Sequence, residues 1–390
     1  MPSVPFLFLL LFGLRSLARN IVFPTVHGTS AQAPLSDDDV DIIDIESGSQ
    51  FSGLSTFAHV PYINCFVDTE AENQRYDIAF LGAPFDTGVT ARPGARFGPA
   101  GIRRGSRRIR AESAWNIYTG VNNFFSWAKI VDCGDAPLTF LDNTIALKQL
   151  DKAHKVVSSR LANSTDVSPV PRIITLGGDH TTTLSALRST YEKWGPVSVI
   201  HFDSHIGRHL GSVSLGYEIA QYYVAVECPI MLNHGTFLHI AHEEGLVHNS
   251  SIHVGIRAPL MRAKDDIRND IRCGFDIITA RDIDRIGAFG IIEKIKKRVG
   301  LSNIYISVDI DVLDPAFAPG TGTAEPGGFS TRELLTILDG LSGLRVVGGD
   351  VVEVAPVYDT AGETTVIAAA EIANSLLALM IEKPVPIEGT

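Results

Sequence analysis

The stretch Asn303-Ile304-Tyr305-Ile306-Ser307-Val308-Asp309-Ile310-Asp311-Val312-Leu313-Asp314-Pro315 joins an apolar run to a group of acids. Residues 303–308 are short, β-rich and apolar, which is typical of a buried strand. Asp309 and Asp311 follow two residues apart, so their side chains lie on the same face of an extended chain. Two carboxylates placed in this way at a strand end could bind one cation or bridge two.

Two other apolar runs are followed by acids and histidines in the same manner. Gly177-Gly178-Asp179-His180 follows the run 172–176, and Asp203-Ser204-His205 follows the run 197–202. Carboxylate and imidazole ligands together favour Mn, Fe, Co or Zn over calcium, whose sites contain only oxygen ligands. The sequence therefore predicts a metal site assembled from three strand ends.

From Tyr76 onward, β-rich apolar segments alternate with amphipathic stretches of helical period. The predicted strands are residues 77–83, 128–131, 172–176, 197–202, 251–255, 303–308 and 346–354, and the predicted helices include 145–161, 183–194, 280–299 and 331–341. This alternation predicts an α/β domain, residues 76–385, with a central parallel sheet covered by helices on both faces. In such sheets the ligand site lies beyond the carboxyl ends of the strands.

The amino-acid composition limits the kinds of molecule that the protein is expected to bind. The chain of 390 residues is 45% hydrophobic, enough for a full core, and its net charge of −11 indicates neither a nucleic-acid partner nor a membrane surface. One basic cluster stands out, and we expect it to be a solvated helix face rather than an anion site. It consists of Arg103, Arg104, Arg107, Arg108 and Arg110.

The N-terminal residues differ in kind from the rest of the chain. Residues 4–14 are almost wholly apolar and precede small residues, which predicts a signal peptide over residues 1–18. Residues 19–75 are expected to form a leader of low order. This pattern favours the secretory pathway or an extracellular location, with an intracellular one as the alternative. Cys133 is expected to be a buried thiol, although secretion would permit it to form a disulfide.

Taken in order, these motifs make the chain resemble the ureohydrolase family of arginases and agmatinases, and most closely its agmatinase branch. The resemblance extends from Tyr76 to Glu382. It rests on residues 88–99, on Gly177-Gly178-Asp179-His180, on His234-Gly235-Thr236, on residues 309–315, on Gly320-Thr321-Gly322-Thr323 and on Glu353-Val354-Ala355-Pro356.

The resemblance implies an arginase-like three-layer α/β/α domain that holds two Mn²⁺ ions per chain and assembles into trimers or hexamers. By this resemblance Asp203 and Asp309 bridge the two ions. His180 completes one site, and His205 with Asp311 completes the other. It further implies that Glu353 holds the guanidinium group of a substrate and that His234 carries a proton to the departing amine.

One position departs from the family pattern, which continues Asp-x-His-x-Asp after Asp203. Here residue 207 is glycine and has no side chain to bind a cation, so the site that uses His180 is expected to be weakened. Residues 206–233 also differ from the family, either through an error in the gene model or through a real insertion. His209, Glu218 and Glu227 are the candidate replacement ligands, and the spacing selects none of them.

The expected activity is metal-dependent cleavage of a small guanidino compound to urea and an amine, with agmatine giving putrescine. A guanidinobutyrase or related ureohydrolase is the alternative within the family. A catalytically impaired member that acts as a binding or regulatory protein is the alternative from another class.

Overall fold

The computed structural model describes residues 54–166, 168, 170–206, 232–260 and 263–385. The expectations about the signal peptide, about residues 19–53 of the leader, and about Gly207 and its candidate replacements lie outside these ranges. The strands are β1 Ile78–Ala83, β2 Ile130–Asp135, β3 Arg172–Gly177, β4 Ser198–Phe202, β5 Ser251–Ile256, β6 Phe275–Thr279, β7 Asn303–Asp309 and β8 Arg345–Val352. The helices are α1 Asp68–Asn73, α2 Gly98–Ser106, α3 Asn143–Ser158, α4 Thr182–Trp194, α5 Phe237–Glu243, α6 Ala263–Arg272, α7 Asp282–Val299, α8 Thr331–Gly340 and α9 Thr364–Glu382.

The strands form one sheet in the order β2-β1-β3-β8-β7-β4-β5-β6. Every pair of neighbouring strands is parallel. Parallel strands need crossover connections, and the helices supply them on both faces. The predicted parallel α/β/α architecture is therefore confirmed.

Two layers of helices cover the sheet. Helices α2, α7, α8 and α9 share one apolar core with the sheet, while α4 and α5 contribute to a second core on other strand residues. Local signals fix several helix ends. Ser330 and Glu333 form a capping box at the start of α8, and the Asp142 carboxylate accepts the Ile145 N–H at the start of α3.

The sequence analysis did not single out β6 or α9. Strand β6 lies at the edge of the sheet and is only partly buried, so its hydrophobic pattern is weak. Helix α9 is apolar around most of its circumference and lacks the one-sided period of a surface helix. It is long and apolar enough to span a membrane, but 67% of the relevant window is buried inside the protein, as in a core helix.

Described structure also precedes the predicted domain, which begins at Tyr76. Residues 54–75 contain a 3₁₀ turn at Phe57–His59 and helix α1, and Phe57 stacks on Phe80 of β1 with ring centroids 4.0 Å apart. Cys65 in this segment forms a disulfide with Cys133 of β2. The expectation that Cys133 is a free thiol was therefore wrong. The apolar run before Cys133 indicated burial but could not reveal the distant partner.

The basic cluster is not a uniform solvated face. Arg103 in α2 is buried, and its guanidinium donates two hydrogen bonds to the Asp132 carboxylate, at 2.8 and 2.9 Å. Arg104 and Arg108 are half exposed and pair with acids near and within α9. The prediction of a solvated face was wrong for Arg103, because one residue of the cluster points from the helix into the sheet.

Loss of the buried Arg103–Asp132 pair should destabilise the fold strongly. Asp132→Asn leaves the Arg103 charge buried without its bidentate partner, so we expect the free energy of unfolding to fall by about 3–5 kcal/mol. Asp135 also binds Arg103 but its side chain is 42% exposed, and Asp135→Asn should cost less than about 1 kcal/mol. Urea unfolding of both variants measures the difference, and equal losses would contradict it.

Candidate metal centre

The four central strands of the sheet, β3, β8, β7 and β4, bring the candidate residues to one edge. His180 follows β3, Glu353 follows β8, Asp309 ends β7 and Asp203 follows β4. The carboxyl ends of parallel strands point the same way, so side chains from distant parts of the chain meet there. The three predicted strand ends do converge on one site.

One group of metal-ligating atoms surrounds His180. Its Nδ1 atom lies 3.2 Å from Oδ2 of Asp203 and 3.1 Å from Oδ2 of Asp309. All three side chains are buried. Metal ligands that share one ion at bond lengths of about 2.1 Å and angles near 90° lie about 3.0 Å apart, so this spacing suits a small divalent cation.

A second group surrounds His205. Its Nδ1 atom lies 3.3 Å from Oδ1 of Asp203 and 3.0 Å from Oδ2 of Asp311. Asp203 therefore turns one carboxylate oxygen to each histidine. A carboxylate placed in this way can bridge two cations. The His205 side chain is 31% exposed and marks the side on which the site meets solvent.

The charges of the site favour a cation. Burial, together with the nearby charges of Asp311 and Asp203, raises the pKa of Asp309 well above its usual value. Burial lowers the pKa of His205, but hydrogen bonds to Asp203 and Asp311 outweigh it and raise the value to about 11. Asp309 and His205 thus favour their protonated forms, a divalent cation would displace those protons, and the residues present fit a metal centre.

Surrounding polar groups orient these ligands. Ser307 donates its hydroxyl proton to Asp350 at 2.7 Å, so it accepts from Nε2 of His180 at 2.8 Å. Because Nε2 donates to Ser307, His180 directs Nδ1 at the acids, where a cation that displaced the proton on Nδ1 would bind the lone pair. The N–H of Asp311 donates to Oδ1 of Asp309 at 2.9 Å and fixes that carboxylate as well.

The carboxylates of Asp179 and Asp314, which flank the ligand positions in sequence, accept backbone N–H groups. Asp179 accepts from Gly88 at 2.8 Å, and Asp314 accepts from Gly327 at 2.6 Å.

The loop that carries His180 requires glycine at position 178. A Cβ atom there would lie 1.8 Å from the carbonyl oxygen of Phe85, so no side chain fits beneath the His180 loop.

His234 and Glu353 lie side by side next to the acids. Nδ1 of His234 is 3.0 Å from Oε1 of Glu353, and the same oxygen accepts the backbone N–H of His180 at 2.9 Å. Nε2 of His234 accepts the Thr90 N–H at 3.1 Å and lies 2.8 Å from the Thr90 hydroxyl. Burial lowers the pKa of His234, but its hydrogen bond and ion pair with Glu353 raise it above the ordinary value.

The backbone at Glu353 is unusual. Its φ angle of +60° lies in the left-handed region, which residues other than glycine rarely adopt. The N–H of Glu353 donates to the carbonyl of Gly178 at 2.8 Å and helps to hold this conformation. Strained residues of this kind often occur at functional sites, where the surrounding structure enforces them.

The sequence analysis did not single out His201, Ser307 or Asp350 as site residues. His201 lies on β4 two residues before Asp203, and that spacing on one strand face was visible in the sequence. His253 on β5 is buried and contacts His201 across the β4–β5 pair. Nδ1 of His239 in α5 lies 3.8 Å from Sγ of Cys273.

The chain is similar to known proteins over most of its length. The family model described as the arginase family matches residues 76–379. "Putative agmatinase 1" of Schizosaccharomyces pombe is 50% identical over 349 residues, which cover 87% of this chain and 85% of that one. The guanidinobutyrase of Pseudomonas aeruginosa is 34% identical over 323 residues, 82% of this chain and 90% of that one. Proclavaminate amidinohydrolase from Streptomyces clavuligerus has a solved structure that matches with a TM-score of 0.71 and 32% identity, covering 86% of this chain and 99% of that one.

Divalent cations should stabilise the folded protein through these acids. A cation that binds only the folded state at 100 times its dissociation constant adds about 2.7 kcal/mol, so Mn²⁺ should raise the melting temperature of chelator-treated protein. Asp309→Asn should lose most of that shift. Asp314→Asn, in the same loop but turned toward backbone N–H groups, should keep it. An equal shift in Asp309→Asn and the unaltered protein would contradict the assignment.

Proposed function

This chain belongs to the arginase family, and we propose that it is a manganese-dependent amidinohydrolase that cleaves agmatine to putrescine and urea. One observation carries the proposal. Asp203 directs its two carboxylate oxygens toward two separate histidines, each accompanied by a further acid. That arrangement suits two cations at one reacting centre, and we propose two Mn²⁺ ions per chain. Two divalent cations bound there would lower the pKa of water and so supply a nucleophile at neutral pH.

Glu353 is the group we assign to the guanidinium of the substrate. A guanidinium is planar, stays protonated and donates hydrogen bonds, so it binds best to a carboxylate. Glu353 is buried, and its position beside the His180 loop brings its carboxylate next to the acids. The substrate would thereby lie with its central carbon facing the acids.

His234 is the group we assign to proton transfer. Collapse of the intermediate formed at the guanidinium carbon requires a proton on the departing amine. His234 lies between the Glu353 carboxylate and the Thr90 hydroxyl. Because Nε2 accepts the Thr90 N–H, the imidazole carries its proton on Nδ1, beside the Glu353 carboxylate. From there the proton can be released toward an amine that departs next to Glu353.

Agmatine and guanidinobutyrate are the two substrates that the relatives suggest. The relative that is 50% identical bears the name of an agmatinase, whereas the one at 34% is a guanidinobutyrase. We favour agmatine on this difference. The two compounds share a guanidinium and differ in the charge at the far end, so a direct competition assay separates them.

We further propose that the protein acts in polyamine biosynthesis, enters the secretory pathway and assembles as a homo-oligomer. The apolar segment 4–14 and the Cys65–Cys133 disulfide support the compartment, because cytosolic disulfides are rare. Trimers or hexamers are the assemblies implied by the family. Mass measurement of the mature N-terminus would test the compartment, and an intact Met1 on intracellular protein would exclude the signal peptide. Light scattering would test the assembly.

Purified protein loaded with Mn²⁺ should release urea from agmatine. We expect a metal content near two per chain, and Asp309→Ala should abolish urea release because it removes a carboxylate shared by the site. Colorimetric urea assay and elemental analysis measure both. One cation or none, with no urea from agmatine, guanidinobutyrate or arginine, would identify the chain as an impaired member of the family.

Removal of the proton carrier should slow the reaction without emptying the site. His234→Asn should lower kcat by about 10²–10⁴-fold with unchanged metal content. His242→Asn is the matched control, because His242 lies in the last turn of α5 and is assigned no role in the reaction. Steady-state kinetics with agmatine would show the difference. A wild-type kcat in His234→Asn would remove this residue from the mechanism.

A further inference from the structure

His201 is a buried imidazole with one nitrogen that lacks a hydrogen bond. Its side chain is 2% exposed, and Nε2 lies 3.1 Å from Oδ2 of Asp203. The direction of the ring is wrong for a hydrogen bond, and among the described residues Nε2 has no other partner. Leaving a buried polar atom unsatisfied costs about 1–3 kcal/mol, so such an atom in a native site calls for an explanation.

We propose that His201 is a ligand of the cation held by His180. This inference rests on the proposed function and assigns His201 the place for which Gly207 offers no side chain. The cation would then have two imidazoles, from His180 and His201, together with carboxylate oxygens of Asp203 and Asp309.

The positions of the ligating atoms support this assignment. One atom each of His180, His201 and Asp203 lie within 4.8 Å of one another. Oδ2 of Asp203 is 3.2 Å from the His180 nitrogen and 3.1 Å from the His201 nitrogen. Ligands at about 2.1 Å from one ion, at angles between octahedral and tetrahedral, are separated by about 3.0–3.4 Å. Both distances fall in that interval.

The neighbours of His201 favour the tautomer that a metal ligand needs. Nδ1 of His201 lies 2.8 Å from Nδ1 of His253, so one of the two nitrogens donates and the other accepts. Nε2 of His253 lies 3.8 Å from Oδ2 of Asp270, and this carboxylate favours a proton on that nitrogen. His253 then accepts through Nδ1, His201 donates through Nδ1, and Nε2 of His201 keeps a free lone pair.

That lone pair faces the Asp203 carboxylate, an unfavourable contact unless a cation lies between them. A carboxylate that fixes a metal-binding histidine through its second nitrogen is a common arrangement. Here His253 lies between the carboxylate of Asp270 and the proposed ligand His201, so the arrangement contains one more imidazole ring. The cation would give Nε2 of His201 the partner that it otherwise lacks among the described residues.

The alternative is that His201 has only a packing role beside Phe237. Its ring lies 6.0 Å from the Phe237 ring, and a phenylalanine at position 201 would preserve that contact. His201→Phe therefore separates the two roles. His154→Phe is the matched control, because His154 lies within α3, is equally buried and has no electrostatic interaction with the acids of the site.

The test is Mn²⁺ titration of chelator-treated full-length protein, followed by calorimetry and elemental analysis. We expect the unaltered protein to bind about two ions and His201→Phe to bind one of them at least about 100-fold more weakly, with His253→Phe weakened about 10–100-fold. His154→Phe should bind both normally. Tight binding of two ions by folded His201→Phe would overturn the inference, and would indicate a ligand from residues 207–231, while leaving the proposed function intact.

A direct measurement covers the case in which His201→Phe does not fold. Anomalous scattering from crystals of the unaltered protein grown with Mn²⁺ should place an ion about 2.1–2.3 Å from Nε2 of His201. An ion beside His180 but more than about 3 Å from Nε2 would refute the inference alone. A site without manganese would refute the proposed function as well.

Discussion

The site depends on the accumulation of negative charge where solvent cannot screen it. Asp203, Asp309 and Asp311 come from two neighbouring strands and are almost fully buried. Isolated buried charges cost several kcal/mol each, so the protein must hold protons or cations among them. The histidines, the Ser307–Asp350 chain and the His201–His253 pair are all arranged around that requirement.

Sheet topology explains how distant residues meet this requirement. Strands β3 and β4 are consecutive in the chain but are not neighbours in the sheet. Strands β8 and β7, which come last in the chain, lie between them. The site occupies the point at which the strand order changes direction. Open α/β sheets commonly bind ligands at such points, because the loops on either side diverge and leave a crevice.

Much of this arrangement could be predicted from the sequence, because it is encoded locally. Acids and histidines directly after apolar runs indicate strand ends, and parallel strands bring their ends together. Arg103, Cys133 and β6 were not predictable in this way. Their states depend on Asp132, on Cys65 and on position at the sheet edge, and these are tertiary facts with no local pattern. The role proposed for His201 could not be predicted from the sequence either, because a single histidine in a strand is more often a core residue than a metal ligand.

The left-handed backbone at Glu353 has a consequence for the design of variants. An L-residue in that conformation costs about 1–2 kcal/mol relative to glycine, which adopts it freely. Glycine at this position would relax the main chain but remove the carboxylate assigned to the guanidinium. Thermostability selections that do not also select for turnover should therefore enrich glycine at position 353, and such variants would be stable but inactive.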